Sequence, residues 1–527
     1  MLPKYLIDIH VHPSLKPRHY LPAKNIWETL PSPEACQDLP PLTKGLLNEI
    51  STQSQTNLDR CREGKLRGLF LALYPPERGI LDLRNFTNFV LVNLLSTRKK
   101  KTNLGICLSG FERNFVDFYL NQVEHNLEVD YFAELKSEYQ YLLQQEKLQN
   151  GQFKLVGDYA EFQAHIQEAN HFAGIVTVEG LHALGHFRTY REMRTPAKML
   201  NQTNQPAYQH FLSQYEAHLA HLRTWGQGRH TPFFITFAHH FWNLMGGHAH
   251  SFQGFMRTFG VNQHFGINEG ITVLGREVLH RLLDRSQGRR ILIDTKHMSV
   301  ALRRDFYQIW EQYAQQGDPF PIICSHTAVS SIGTLEASQH RRDNRQELKK
   351  TYFNTWSINL TDDDIRYTFR SGGLIGLVLH EERMPGGISQ EIIHHYRKNN
   401  NKDGQQAEYI RLLMANAFYI VRVCELAFGK GQQAWDMICL GSDLDGLINH
   451  FDCYDGAEDM MRLATGVLQF LHRPIENPHA GFTRADYSQL RFGLSPEEIV
   501  DKIFRANAEN FLQKYFHDDY LRRSLVG

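Results

Sequence analysis

YLIDIHVHP, residues 5–13, is an apolar, β-branched run that ends in proline and carries His10 and His12 near its carboxyl end. It reads as a buried strand. Residues two apart on a strand face the same way, so both imidazoles can reach one cation. The spacing alone says little. With 28 histidines in 527 residues, about one or two H-x-H pairs arise by chance. A second pair, His248 and His250, lies in the glycine-rich NLMGGHAHSFQG. The rest of the chain supplies the context.

Seven further runs share the character of the first: LRGLFLALYP (66–75), FAGIVTVEG (172–180), FFITFAHH (233–240), RILIDTKH (290–297), PIICSHT (321–327), GGLIGLVLH (372–380) and MICLGSDLDG (437–446). They are nearly all apolar instead of alternating, as strands covered on both faces are. Helical or loop stretches separate them, which is the rhythm of a parallel β/α protein. Eight units predict an α/β fold of the closed (β/α)8 TIM type. In six of the eight runs the polar residues gather at the carboxyl end: His10 and His12, Glu179, His239, His297, His326, and Asp443 with Asp445. Barrel enzymes draw their catalytic groups from that end of the strands. Residues that served only the core or the loops would be scattered over both ends.

One barrel domain over 1–527 accommodates these units, with insertions. Residues 78–150 read as a helical insertion, since VDYFAELKSEYQYLLQQEKLQ places apolar residues three and four apart. The long connections 241–270, 328–356 and 381–412 are expected to cap the strand ends. Residues 447–527 form a C-terminal extension, in which Ser495, Pro496 and Glu498 are the N-cap, N1 and N3 of a closing helix.

Charge narrows the function. The chain has 57 basic and 57 acidic residues and no basic stripe, so nucleic acid is not an expected partner. TRKKKTN at 97–103 is short enough to be a solvated helix end. The seven cysteines are odd in number, scattered and never C-x-x-C, which suggests neither a disulfide framework nor a zinc knuckle, and fits a reducing compartment. The first strand starts too close to Met1 for a signal peptide, and no apolar run nears 18 residues. A soluble cytoplasmic protein without membrane contact is expected.

Hydrolysis at a dinuclear centre needs ligands for two cations, a bridging anion and a place for water. His10 and His12 are expected to hold one metal and His297 and His326 the other, with Glu179 bridging. Imidazole with carboxylate suits Zn2+ first, although Mn2+, Co2+ and Fe2+ accept the same donors.

VEGLHALG, ITFAHHFWN, LIDTKHMS, CSHT, INLTDDDIR and GSDLDG, in that order, resemble motifs of the renal or membrane dipeptidases of peptidase family M19, within the amidohydrolase superfamily. GLSPEEIVDKIFRANAENFL resembles that family's closing helix. The resemblance implies ligand roles for His10, Glu179, His297 and His326. It makes His239 a substrate contact that stabilises the oxyanion, and Asp443 the carboxylate that takes a proton from the attacking water and returns it to the leaving amine. It also implies a homodimer.

The chain departs from the family in two places. His12 stands where the family has aspartate, which makes the site more positive by one charge. Ile358 stands where an arginine contacts the substrate carboxylate, and Arg341 and Arg342 in ASQHRRDNR are the candidates to replace it. Asn243 and His240 are candidate pocket residues, and His182 and His186 follow Glu179 closely. Asp445 is read as a loop-capping group. Lys296 is expected on the strand face opposite His297.

These readings combine into a dinuclear zinc dipeptidase with a metal-bridging hydroxide as nucleophile. The alternative within the superfamily is an enzyme for another small amide, N-acyl amino acid, lactone or ester. The alternative of another class is a non-catalytic scaffold barrel, against which the complete set Glu179, His297, His326 and Asp443 argues.

Overall fold

The computed structural model describes residues 2–31, 33–36, 54–82, 97–252, 261–339 and 348–522. Its main sheet contains β1 (Leu6–Val11), β2 (Leu66–Leu73), β3 (Phe172–Val178), β4 (Phe234–Thr236), β5 (Leu292–Asp294), β6 (Ile323–Thr327), β7 (Leu374–Leu377) and β8 (Ile438–Leu440). They pair in sequence order, all parallel. The ring closes where Val11 bridges Leu444, with the Asp443 N–H donating to the His10 carbonyl at 3.0 Å and the His12 N–H to the Leu444 carbonyl at 3.0 Å. This nearly closed, eight-stranded parallel sheet is the (β/α)8 TIM-type fold. A further short strand, Phe153–Leu155, pairs with the start of β3.

Every residue of β1 and of β3 to β8 is buried, which is why these strands read as unbroken apolar runs. Two glycines make room for the closing strands. A Cβ on Gly376, or on Gly441 just past β8, would meet the Ser325 carbonyl oxygen at 1.9 Å.

Two buried carboxylates tie strand ends together. Asp8 Oδ1 accepts from the His10 and Ser442 N–H groups, both at 3.0 Å. Asp294 accepts from the N–H groups of Lys296 and Ser325 at 3.0 Å, from Thr236 Oγ1 at 2.7 Å and from Ser325 Oγ at 2.6 Å. The first joins β1 to the end of β8 and the second joins β4, β5 and β6, so the carboxyl ends form a rigid platform.

Several strands stop short of the runs that announced them: β4 ends at Thr236, β5 at Asp294 and β8 at Leu440. Beyond them the backbone leaves extended geometry, with positive φ at His297 (64°), Asp443 (62°) and Asp445 (62°). His239, His297, Asp443 and Asp445 therefore sit on the βα loops, whereas His10 and His326 remain within β1 and β6.

Between β2 and β3 lie helices α1 (Arg98–Ser109), α2 (Arg113–Glu124) and α3 (Tyr131–Gln145). The basic run starts α1, where Lys101 pairs with Glu124 at 2.9 Å. Asp130 caps α3 by accepting from the Ala133 N–H at 2.8 Å. Cys36 and Cys107 form a disulfide with Cα atoms 5.4 Å apart, contrary to the sequence expectation. A separation of 71 residues leaves no local spacing to read. Near the C-terminus, Ser495 and Glu498 make the expected capping box on Pro496–Asp501, which runs through one π turn into Asn507–Tyr515. Among the described residues no helix is long and apolar enough to cross a membrane.

Candidate metal centre

At the carboxyl ends of the strands, seven side chains named from sequence converge. His10 Nε2 lies 3.2 Å from Glu179 Oε1 and His12 Nε2 lies 3.3 Å from Glu179 Oε2. Asp443 Oδ1 is 3.7 Å from His10 Nε2 and 3.3 Å from His12 Nε2. On the other side of Glu179, the Nε2 atoms of His297 and His326 stand 3.8 and 3.7 Å from Oε1. His239 Nε2 approaches the same oxygen at 3.4 Å. Four groups keep their ligand atoms within 4.8 Å of one another: His239–His240–His297, His10–Asp294–His326, and the overlapping pair His10–His12–Glu179–Asp443 and Glu179–His297–His326. Glu179 belongs to both of the last two.

The chemistry of this donor set fits cations. Nε2 atoms of His10 and His12 are 3.2 Å apart, and those of His297 and His326 are 3.1 Å apart. At those distances either one Nε2–H donates to the other Nε2, or both lone pairs turn to a shared cation. Asp443 Oδ1 is buried and accepts no hydrogen bond among the described residues. Burial opposes charge on His12, yet Asp443 and Glu179 hold its pKa up at about 10, so the pair of carboxylates calls for a cation there. Burial, with His239 among the nearby cations, keeps His297 and, with His10, keeps His326 well below the usual histidine range. Both thus favour the neutral form, the one that a metal ligand requires.

His239 is held by a residue that the sequence reading passed over. Its Nδ1 lies 2.5 Å from Glu77 Oε2, and the same carboxylate accepts from the N–H groups of His240 at 3.2 Å and Phe241 at 3.1 Å. Burial disfavours a charged His239, but Glu179 and Glu77 outweigh it and raise its pKa to about 10. Burial would likewise push Glu77 up, yet His239 and His182 keep it below its ordinary value. The pair is therefore an imidazolium and a carboxylate, with Nε2–H aimed at the cluster.

No family model matches the sequence, and no curated protein matches it. Some solved structures are similar to the chain. One is the dipeptidase AC, a metallopeptidase of family M19, at 13% identity and a TM-score of 0.48, over 97% of this chain and 98% of that one. A second is a metallopeptidase from Rhodobacter sphaeroides liganded with a phosphinate mimic of L-Ala-D-Ala, at 13% identity and 0.45, again over 97% and 98%. A third is the probable dipeptidase PvdM from Pseudomonas aeruginosa, at 14% identity and 0.41, over 85% of this chain and 90% of that one.

Other expectations are revised. Asn243 lines neither cavity at the strand ends. Its amide donates to the Phe237 carbonyl at 2.6 Å and accepts from the N–H groups of Met245 and Gly246, so it holds the loop instead of a substrate. Arg341 and Arg342 lie outside the described residues. Lys296 shares a cavity with His297. Strand alternation had put it on the opposite face, but the strand has already ended and His297 has positive φ. Burial lowers the Lys296 pKa to about 8.

His182 stays outside the cluster: its Nε2–H donates to the Pro75 carbonyl at 2.9 Å, and its Nδ1 lies 3.9 Å from Glu77 Oε1. His186 pairs with Glu128 at 2.6 Å near the surface. His248 places both ring nitrogens 3.1 Å from backbone carbonyls. Neither His248 nor His250 belongs to a metal-capable cluster among the described residues. Asp445 acts as the expected loop cap, binding Lys16 at 2.9 Å and the Gln55 and Thr56 N–H groups at 2.9 and 2.8 Å.

Two cavities border the cluster. The smaller is lined by Glu179, His297, His326, Asp443, Ile358 and Arg383, among others. The larger, about 130 Å³, extends beneath α1 and α2 and shares His239, His240, His380 and Arg383 with the first. His380 and Arg383 were not singled out from sequence. His380 closes the seventh run, so the strand-end rule finds it. Arg383 lies three residues beyond.

Proposed function

We propose that the protein is a metal-dependent hydrolase that cleaves the amide bond of a small substrate, with dipeptides and N-acyl amino acids as the candidate classes. The observation that carries this reading is the pair of donor clusters joined through Glu179, with Asp443 and His239 facing them. His10 and His12 would hold one divalent cation and His297 and His326 a second, Glu179 contributing to both. The mix of imidazole and carboxylate suits Zn2+. Bound there, such ions would supply Lewis acidity and make water a nucleophile at neutral pH.

The chain's own groups do the rest. Asp443 takes a proton from the attacking water as the oxygen bonds to the acyl carbon, then delivers it to the amide nitrogen as the C–N bond breaks. His239, locked by Glu77, donates its Nε2–H to the oxygen that gains negative charge. Burial of the cluster excludes bulk water and strengthens both interactions.

The test is metal content after zinc loading and desalting, alongside hydrolysis of an amide panel. About two metals per native chain, fewer in Glu179→Gln, and turnover lost in Asp443→Asn with metal retained would support the reading. A native chain that retains no metal would overturn it.

A further inference from the structure

We propose that the ammonium group of Lys296 binds a carboxylate carried by the amine half of the substrate, so that the half released as an amine is an amino acid. This rests on the hydrolase reading above and assigns the group that recognises the substrate.

Lys296 is 3% exposed and lines the smaller cavity together with Glu179, His297, His326 and Asp443. Its ammonium group makes no hydrogen bond and no ion pair among the described residues, and Asp443 and Asp294 attract it only through space. A lysine buried to this degree is ordinarily paired. Ile358 and Val378, which line the same cavity, bring no charge. Arg383 lines it too but is engaged within the chain, and His239 is turned to the oxyanion. Among the described residues, Lys296 is the cation left for an anionic ligand.

The backbone beneath it is fixed. The Lys296 N–H donates to Asp294 Oδ1 at 3.0 Å, the Thr295 N–H to the Ile323 carbonyl at 2.8 Å and the Met298 N–H to the Thr295 carbonyl at 3.2 Å. β5 ends at Asp294, and the turn that follows, with φ of 64° at His297, brings residues 296 and 297 to one cavity. A cation on so rigid a support gives up little freedom when it binds.

The direction of the substrate follows from the way the two cavities share their walls. Lys296 and Asp443 line the smaller cavity and not the larger, whereas His239 lines both. Asp443 returns its proton to the amide nitrogen in the reading above. The amine half therefore lies in the smaller cavity beside Lys296, and the acyl half runs towards the larger. A carboxylate on that amine half pairs with the ammonium group and fixes the scissile bond against the cluster. Dipeptides and N-acyl amino acids share this feature, and amides of simple amines lack it.

The experiment measures, by calorimetry at neutral pH, binding of the ketomethylene analogues of Ala-Ala and of N-acetyl-alanine, each as the acid and as the primary amide, to the zinc-loaded protein. The native protein should bind the better acid about 100-fold more tightly than its amide. In Lys296→Met the gap should shrink to about threefold or less. The ratio is taken within one protein, so a general weakening in the variant does not mimic the effect.

Equal binding of acid and amide by the native protein would overturn the proposal without any variant. A preference for the acid that persists in Lys296→Met would also overturn it, since the carboxylate then rests on another group, and so would failure of both acids to bind. Hydrolysis of the parent compounds separates the two readings. A preference that depends on Lys296, without turnover, supports the carboxylate site while the hydrolase reading fails alone. Turnover that is indifferent to the carboxylate overturns the site while the hydrolase reading stands.

Discussion

Glu77 Oε2 lies 2.5 Å from His239 Nδ1, and the other oxygen of Glu77 accepts from the Phe241 N–H at 3.1 Å. One buried carboxylate thereby sets both the protonation and the direction of the imidazole. Glu77→Gln should lower kcat about 10- to 100-fold with little change in KM. Burial opposes charge on His239, but Glu179 and Glu77 raise its pKa to about 10, so the imidazolium of the proposed mechanism should persist to alkaline pH and be lost as pH rises through that value. In Glu77→Gln the alkaline limb should move to lower pH. Steady-state rates from pH 6 to 10.5 check this, and an unmoved limb would remove Glu77 from the role.

Asp443 and Asp445 are two residues apart with different work. Asp443 faces His10 and His12, whereas Asp445 is enclosed by Lys16, Gln55 and Thr56. Asp443→Asn should abolish turnover and keep stability close to native. Asp445→Ala should cost about 3 kcal/mol or more, because Lys16 is left buried without its partner. Denaturant unfolding beside activity separates them; equal stability losses would contradict the division.

Asp364 carries a stability prediction far from the centre. It accepts from Arg303 Nη1 at 2.6 Å and Tyr307 Oη at 2.7 Å, and closes the capping box of helix Asp362–Ser371 through Thr361. Arg303 is buried. Asp364→Ala should destabilise by about 3–5 kcal/mol, whereas the double variant with Arg303→Met should recover part of the loss. No recovery would mean that the cap, not the ion pair, dominates.

Glu381 gives the stability a pH dependence. Burial and Asp452 push its pKa up to about 7, against the pull of Arg397. A carboxyl whose folded pKa exceeds its unfolded value stabilises at low pH, and that contribution is lost as pH rises from about 4.3 through about 7. The loss is on the order of 1–3 kcal/mol. Glu381→Gln should flatten this slope, as measured by unfolding at pH 5 and 7.5; an unchanged slope would point to other groups.

All eight barrel strands were legible because both their faces are buried, so composition alone marked them. Their ends were not, since His297, Asp443 and Asp445 adopt positive φ that no periodicity signals. The side chains that converge at the strand ends were legible for the same reason that the barrel was: polar groups stood out against apolar runs. Glu77 and Arg383 were missed because they lie on loops, where a polar residue is ordinary and only proximity in space gives it meaning. Asn243 is the opposite case, a polar residue near the site whose amide bonds to backbone. Cys36 and Cys107 meet across the insertion through a contact that is invisible one segment at a time.

The ring is closed by hydrogen bonds between the His10 to His12 segment and the Asp443 to Leu444 segment, near opposite ends of the chain. During synthesis at about 5–20 residues per second, the first histidines therefore wait tens of seconds for the carboxylate that completes their surroundings. The surroundings of His10 and His12 are thus complete only after the last strand has been made.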